Sequence, residues 1–272
     1  LNLESYFISQ FHDLHIGDDG AFLNGYVYSK DAFFENVHFK KSWMSYYQIA
    51  RKAMLVNISD AIAMNAEPKY ALLAVAMPKN ITKEAMRELA RGFEETAKEF
   101  GIAIIGGDTI SNTKLDISVT IVSQTNKPLM RSGIRYGDCI AYTGSLGSSL
   151  RELKKLFNLG KIHKNSKFVE LKLRRDFVRK ASRHLRAGMD ISDGLFSDLD
   201  KFASVNRLGF RFVKKPSKSM ACSGEEYEML IAFAKDKKKT IQRIAKLTRT
   251  KVTIVAHASR QKYTNRCKSH HF

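Results

Sequence analysis

The chain has 272 residues, of which 44% are hydrophobic, 10% aromatic and 27% charged. That balance excludes a mainly disordered or fibrous chain, and no apolar run approaches the roughly 20 residues needed to cross a bilayer. The formal net charge of +19 is unevenly placed: residues 1–150 hold 15 Lys and Arg against 16 Asp and Glu, whereas residues 151–272 hold 31 against 11.

In chain order, the start Leu1-Asn2-Leu3-Glu4 lacks the basic, apolar, small-residue layout of a secretory signal, so a cytoplasmic location is expected. Val27, Ser29 and Asp31 alternate on a predicted strand, which puts them on one face and Lys30 on the other. A helix is predicted from about Tyr46 to Asn65, with Ile49, Ala53, Met54, Ile58, Ala61 and Ile62 on its apolar face. Asn57 and Asp60 lie three apart on that helix, in a stretch otherwise almost free of charge. A buried carboxylate needs a partner or a metal, which makes Asp60 a site candidate.

Ala71 to Met77 is a short apolar run closed by Pro78 and reads as a buried strand. From Thr82 to Phe100, Met86, Leu89, Ala90, Phe93 and Ala97 recur at helical spacing, and Gly101 stands at the C-terminal cap. Strands follow at Ile102 to Ile105 and through Leu115, Ile117, Val119 and Ile121, an order that opens a split βαββαβ layout. Past Pro128 come Arg131-Ser132-Gly133, a strand from Cys139 to Tyr142, and Gly144-Ser145-Leu146-Gly147, where the charge changes character. Strands at Gly209 to Val213, Tyr227 to Ala234 and Lys251 to Ala256 then alternate with helices at Leu195 to Val205 and Lys238 to Leu247. The expected fold is α+β with two lobes, 1–136 and 137–272, both of mixed helix and strand.

The basic excess sits in residues 151–186 and 235–268. Both stretches carry helical patterns but no zinc finger, RNA-recognition signature or interleaved aromatics, so lysine-coated solvent faces are favoured over a nucleic-acid groove. Cys139, Cys222 and Cys267 are odd in number and widely spaced, with no C-x-x-C pair, and are read as reduced thiols.

Four acidic motifs stand out: Gly17-Asp18-Asp19, Ser29-Lys30-Asp31, Gly106-Gly107-Asp108-Thr109 and Asp190-Ile191-Ser192-Asp193-Gly194. Each is expected where a strand meets a turn or helix, and singly each could be a turn or a cap. Together with Asp60 they are what oxygen-seeking Mg²⁺ requires, which implies a polyphosphate site. Neither G-x-x-x-x-G-K-[ST] nor G-x-G-x-x-G occurs, so a nucleotide would be held through metals and scattered donors such as Arg131.

These motifs, with Asn36-Val37-His38-Phe39, Val56-Asn57-Ile58-Ser59-Asp60, Met189-Asp190-Ile191-Ser192-Asp193-Gly194-Leu195 and Gly224-Glu225-Glu226-Tyr227-Glu228, resemble the thiamine-monophosphate kinase family. That family lies in the superfamily of aminoimidazole-ribonucleotide synthetase, selenophosphate synthetase and a hydrogenase maturation protein. The resemblance implies transfer of the γ-phosphate of ATP to thiamine monophosphate, on a homodimer whose N-terminal lobes pair their sheets. It implies Mg²⁺ at Asp18, Ser29, Asp31, Asp60, Asp108, Asp190 and Asp193, with Asp31, Asp60, Asp108 and Asp190 central to catalysis. ATP is expected against Gly107, Asp108, Arg131 and Ser192, and thiamine monophosphate against His38 and Glu225. Alternatives are another enzyme of the superfamily and, from a different class, a basic nucleic-acid-binding protein.

The chain departs from the family pattern at Lys30, where threonine is usual, and at Glu226, where aspartate is usual. It is also shorter than is typical, with its second lobe trimmed. Its end, Ser269-His270-His271-Phe272, only loosely matches one that places an aromatic on the substrate.

Overall fold

The computed structural model describes residues 3–12 and 15–268. The C-terminal Ser269 to Phe272 motif therefore lies outside the described residues. After a short helix α1 (Leu3–Ile8), strands β1 (Ala21–Leu23) and β2 (Tyr26–Phe34) lead into helix α2 (Tyr46–Ala63). Strand β3 (Glu67–Pro78), helix α3 (Lys83–Phe100), β4 (Ala103–Asn112) and β5 (Asp116–Gln124) complete the first sheet, whose order is β1-β2-β5-β3-β4. Only β3 and β4 run parallel, joined by α3, as a crossover connection requires. The helix preceding β3, rather than one following β5, supplies the second cover of this sheet.

The second sheet is antiparallel, in the order β7-β9-β6-β10-β8. Its strands are β6 (Cys139–Thr143), β7 (Ala187–Asp190), β8 (Gly209–Phe212), β9 (Met229–Phe233) and β10 (Val252–Ser259). Helices α4 (Ser148–Phe157), α5 (Arg175–Ala181), α6 (Leu195–Asn206), α7 (Lys218–Ala221) and α8 (Lys238–Leu247) surround it. Period-two alternation divides its side chains: Cys139, Ala141, Ile231 and Phe233 join one core, while Ile140, Met189, Leu230 and Ala232 join another with Leu195, Leu199 and Phe202 of α6. None of the described helices is long and apolar enough to cross a membrane.

Helix α2 organises the molecule. It starts with a capping box, in which Ser45 accepts from the Gln48 amide and Gln48 answers to the Ser45 amide. Thirteen of its eighteen residues are buried, so it is a central helix rather than an amphipathic surface one. Its core joins Phe33, Ile117 and Ile121 of the first sheet to Met229 and Ile231 of the second and to Phe177 of α5. Polar groups carried on α2 are consequently buried between the sheets, and each must find a partner there. Helix α3 matches its predicted bounds, with Thr82 accepting from the Ala85 amide and Gly101 closing it in the left-handed conformation.

Two expectations are corrected. Cys222 and Cys267 are joined in a disulfide, and only Cys139, buried in the second sheet, is a free thiol among the described residues. The long sequence separation hid a pairing that the fold creates by returning the C-terminal segment to the loop after α7. Further, two acidic motifs lie inside strands rather than at their ends: Ser29 to Asp31 in mid-β2 and Gly106 to Thr109 in mid-β4.

Candidate active site

Asp60 lies near the end of α2, facing Asp19 from the bend before β1 and Asp190 from the end of β7; one carboxylate oxygen from each lies within 4.8 Å of the others. Asp31, on the inward face of β2, hydrogen-bonds to Asp60. Crowding these acids between two sheets disfavours their charged forms. Burial, opposed by the bond to Asp60 but aided by Asp19, pushes Asp31 up to about 6. Burial and then the neighbouring carboxylates raise Asp60 and Asp190 well above the ordinary range.

Few donors offset this charge. Arg131 donates from its guanidinium to Asp19 at 2.5 Å and from its amide to Asp18 at 2.5 Å, and the Ser59 hydroxyl donates to Asp190 at 2.6 Å. The second oxygen of Asp19 is buried without a hydrogen-bond partner among the described residues. Converging carboxylates, raised proton affinity and an orphaned acceptor fit a hard divalent cation such as Mg²⁺.

Ser29, fully buried, donates to the Asn57 side-chain carbonyl at 2.5 Å, and the Asn57 amide donates to the Val119 carbonyl at 2.6 Å. The pair of Asn57 and Asp60 therefore divides its work: one ties α2 to the first sheet, the other faces the acids. Lys30 lies on the outer face, its ammonium 3.4 Å from the Thr120 hydroxyl. Asp193 pairs with Lys201 at 2.7 Å, and Lys201 also holds the buried Asp198 at 2.9 Å.

The loop after α7 borders the same space. Glu225 and Tyr227 both adopt left-handed backbone, with φ of 53° and 48°, held by amide bonds to the Ser192 and Ile191 carbonyls. Burial raises the Tyr227 phenol, and its charged neighbours, in falling order, are Glu225, Asp31, Asp190 and Asp60. Tyr227 thus feels the charge of both Glu225 and the aspartates. His38 accepts from the Phe34 amide at 3.0 Å and stacks on Phe33.

Glu226 turns away, accepting from the Gly147 and Ser149 amides at the start of α4 and from the Ser223 hydroxyl. Its departure from the family pattern thus falls on a helix-capping position. Gly107 and Asp108 stand apart from the aspartate cluster, on the exposed edge strand β4, beside an apolar cleft of about 380 Å³ lined by Leu73, Val75, Met86 and Phe93. A Cβ on Gly107 would come within 1.7 Å of the Leu73 carbonyl oxygen, so the close strand approach requires glycine.

Sequence reasoning missed Asp19 as a cluster member, Tyr227 as a neighbour of both groups, and Lys52, whose ammonium pairs with Glu225 at 2.6 Å. Asp19 was signalled by its motif. Lys52 gave no signal, because a lysine on a helix ordinarily reads as a solvent-facing residue.

Aspartates from the first bend, α2 and β7 thus converge between two sheets packed on one buried helix. The N-terminal domain of AIR synthase related proteins matches residues 17–125. The chain belongs to the thiamine-monophosphate kinase family. Its relatives include thiamine-monophosphate kinases of Rhodopirellula baltica, 30% identical with 84% of this chain and 78% of the relative covered, and of Bacillus subtilis, 32% identical with 74% and 67% covered. The fold is shared with the Aquifex aeolicus thiamine monophosphate kinase, with a TM-score of 0.84, 22% identity and coverage of 96% of this chain and 93% of that one. A hydrogenase maturation protein HypE shares it more distantly, with a TM-score of 0.71, 14% identity and coverage of 93% and 87%. A similar structure, AaThiL complexed with AMPPCP and TMP, has a TM-score of 0.85 at 23% identity and covers 96% of this chain and 91% of that one.

Proposed function

We propose that this chain transfers the γ-phosphoryl group of ATP directly to the phosphate of thiamine monophosphate. The observation that carries the reading is the convergence of Asp19, Asp31, Asp60 and Asp190 between the two sheets. The acceptor is a phosphate monoester, whose second pKa near 6 leaves it largely ionised at pH 7, so the site needs no strong base. Charge repulsion is the main obstacle. Mg²⁺ bound at these aspartates would neutralise charge spread over the transferring group.

Asp18, Ser29 and Asp193 complete the proposed ligand set, from which Asp108 is left out because it stands apart on β4. Arg131, already braced by Asp19, would turn part of its charge to ATP phosphates alongside Gly107, Asp108 and Ser192. His38 and Glu225 would hold the acceptor. We further propose a homodimer through the outer face of the first sheet, where Tyr28, Phe34, Tyr70, Leu72, Ile104 and Ile110 are exposed.

An ADP-release assay with thiamine monophosphate and with thiamine tests the reaction. Mg²⁺-dependent turnover of the phosphate ester, with thiamine a poor acceptor, is expected; equal turnover of thiamine would overturn it.

A further inference from the structure

Lys52 sits in the middle of α2 with 0% of its side chain exposed. A methionine of similar length would fill that space without desolvating a charge, so an ammonium here needs a specific task. Its surroundings narrow the choice. The ammonium lies 4.0 Å from the centre of the Phe168 ring and 5.6 Å from that of Phe33, whose faces accommodate a cation without offering it a hydrogen-bond acceptor. Among the described residues its hydrogen-bonding partner is one oxygen of Glu225, at 2.6 Å.

Glu225 itself is fixed from several sides. Its backbone is left-handed, its amide donates to Ser192, and its carbonyl accepts from the Ser149 hydroxyl at 2.8 Å. With the main chain held, Lys52 sets the remaining freedom, the direction of the carboxylate. The Glu225 side chain stays 28% exposed, so its second oxygen is left for a ligand. Phe33 links this pair to His38, which stacks on the same ring.

We infer that Lys52 is a positioning residue that aims the Glu225 carboxylate at the acceptor, and so sets affinity for thiamine monophosphate without setting affinity for ATP. The inference rests on the reading of Glu225 as an acceptor contact. A residue buried on α2 acts on the substrate only through the carboxylate it holds; of the proposed ATP groups, Ser192 meets Glu225 at its main-chain amide, not at the carboxylate that Lys52 holds.

The test is a double-mutant cycle in the full chain, with Lys52→Gln, Glu225→Gln and the double variant, measuring kcat, both KM values, thermal unfolding, and binding of thiamine monophosphate without ATP. Lys52→Gln should raise the KM and the dissociation constant for thiamine monophosphate by on the order of tenfold, with the KM for ATP changed less than about twofold. The double variant should be no worse than Glu225→Gln, because one acts through the other. Parallel rises in both KM values, or additive losses in the double variant, would overturn the inference. An unchanged KM for thiamine monophosphate in Glu225→Gln would instead remove the acceptor contact, and the inference with it. Should Lys52→Gln not fold, Lys52→Met takes its place; failure of both to fold would make Lys52 structural and refute the positioning role.

Discussion

Without metal, burial and three neighbouring aspartates favour the neutral form of Asp60 against the opposing charge of Arg131, so its ionised form is expected to weaken the fold at neutral pH. Asparagine at this position keeps the shape and removes the repulsion. Asp60→Asn is therefore expected to unfold at the same temperature as the parent or higher when Mg²⁺ is absent. The stabilisation that Mg²⁺ gives the parent should largely vanish, and turnover should fall by at least about 100-fold. Thermal melts with and without Mg²⁺, alongside rates, check this; wild-type turnover would remove Asp60 from the site. Asp60 was legible in the sequence because a lone acid in an apolar helix is conspicuous. Lys52, earlier on the same helix, was not, because its partner Glu225 lies 173 residues away and only the fold brings them together.

At the scale of elements, α2 and α3 pack so closely that Gly92 has no room for a side chain: a Cβ there would lie 2.5 Å from the Tyr47 carbonyl oxygen and 2.9 Å from Ala50. Alanine would improve helix propensity by up to ~1 kcal/mol at an unrestricted site. Here the clash outweighs that gain, and Gly92→Ala is expected to cost about 1–3 kcal/mol in chemical denaturation. A stability equal to or above the parent's would show that α2 and α3 can separate freely. Helix α3 was readable to its caps because its period, Thr82 and Gly101 agree. Strand β4 was not: Gly106-Gly107 reads as a turn, yet the pair continues β4 because parallel pairing with β3 leaves room for no larger residue at Gly107. Local chemistry and tertiary contact pointed in opposite directions, and contact prevailed.

Across the whole molecule, charge asymmetry and a fold of mixed helix and strand were visible in the sequence, whereas the shared core around α2 and the Cys222–Cys267 link depend on long-range packing. That disulfide joins residues 45 apart and ties the C-terminal segment to the loop leading to Glu225. Reduction should lower unfolding stability by about 2–4 kcal/mol through the freed unfolded chain. Denaturation with and without reductant checks it; coincident curves in protein shown to be oxidised would deny the link a stabilising role.

The central claim is that the aspartate cluster and the Glu225 loop bring two phosphates together for direct transfer, and following the γ-phosphorus of labelled ATP tests it most directly. With ATP carrying ¹⁸O in its γ-phosphoryl group, ³¹P NMR should find the label in the terminal phosphate of thiamine diphosphate, matched by ADP and dependent on Mg²⁺. Label appearing only in inorganic phosphate, with thiamine monophosphate left unchanged, would contradict the account.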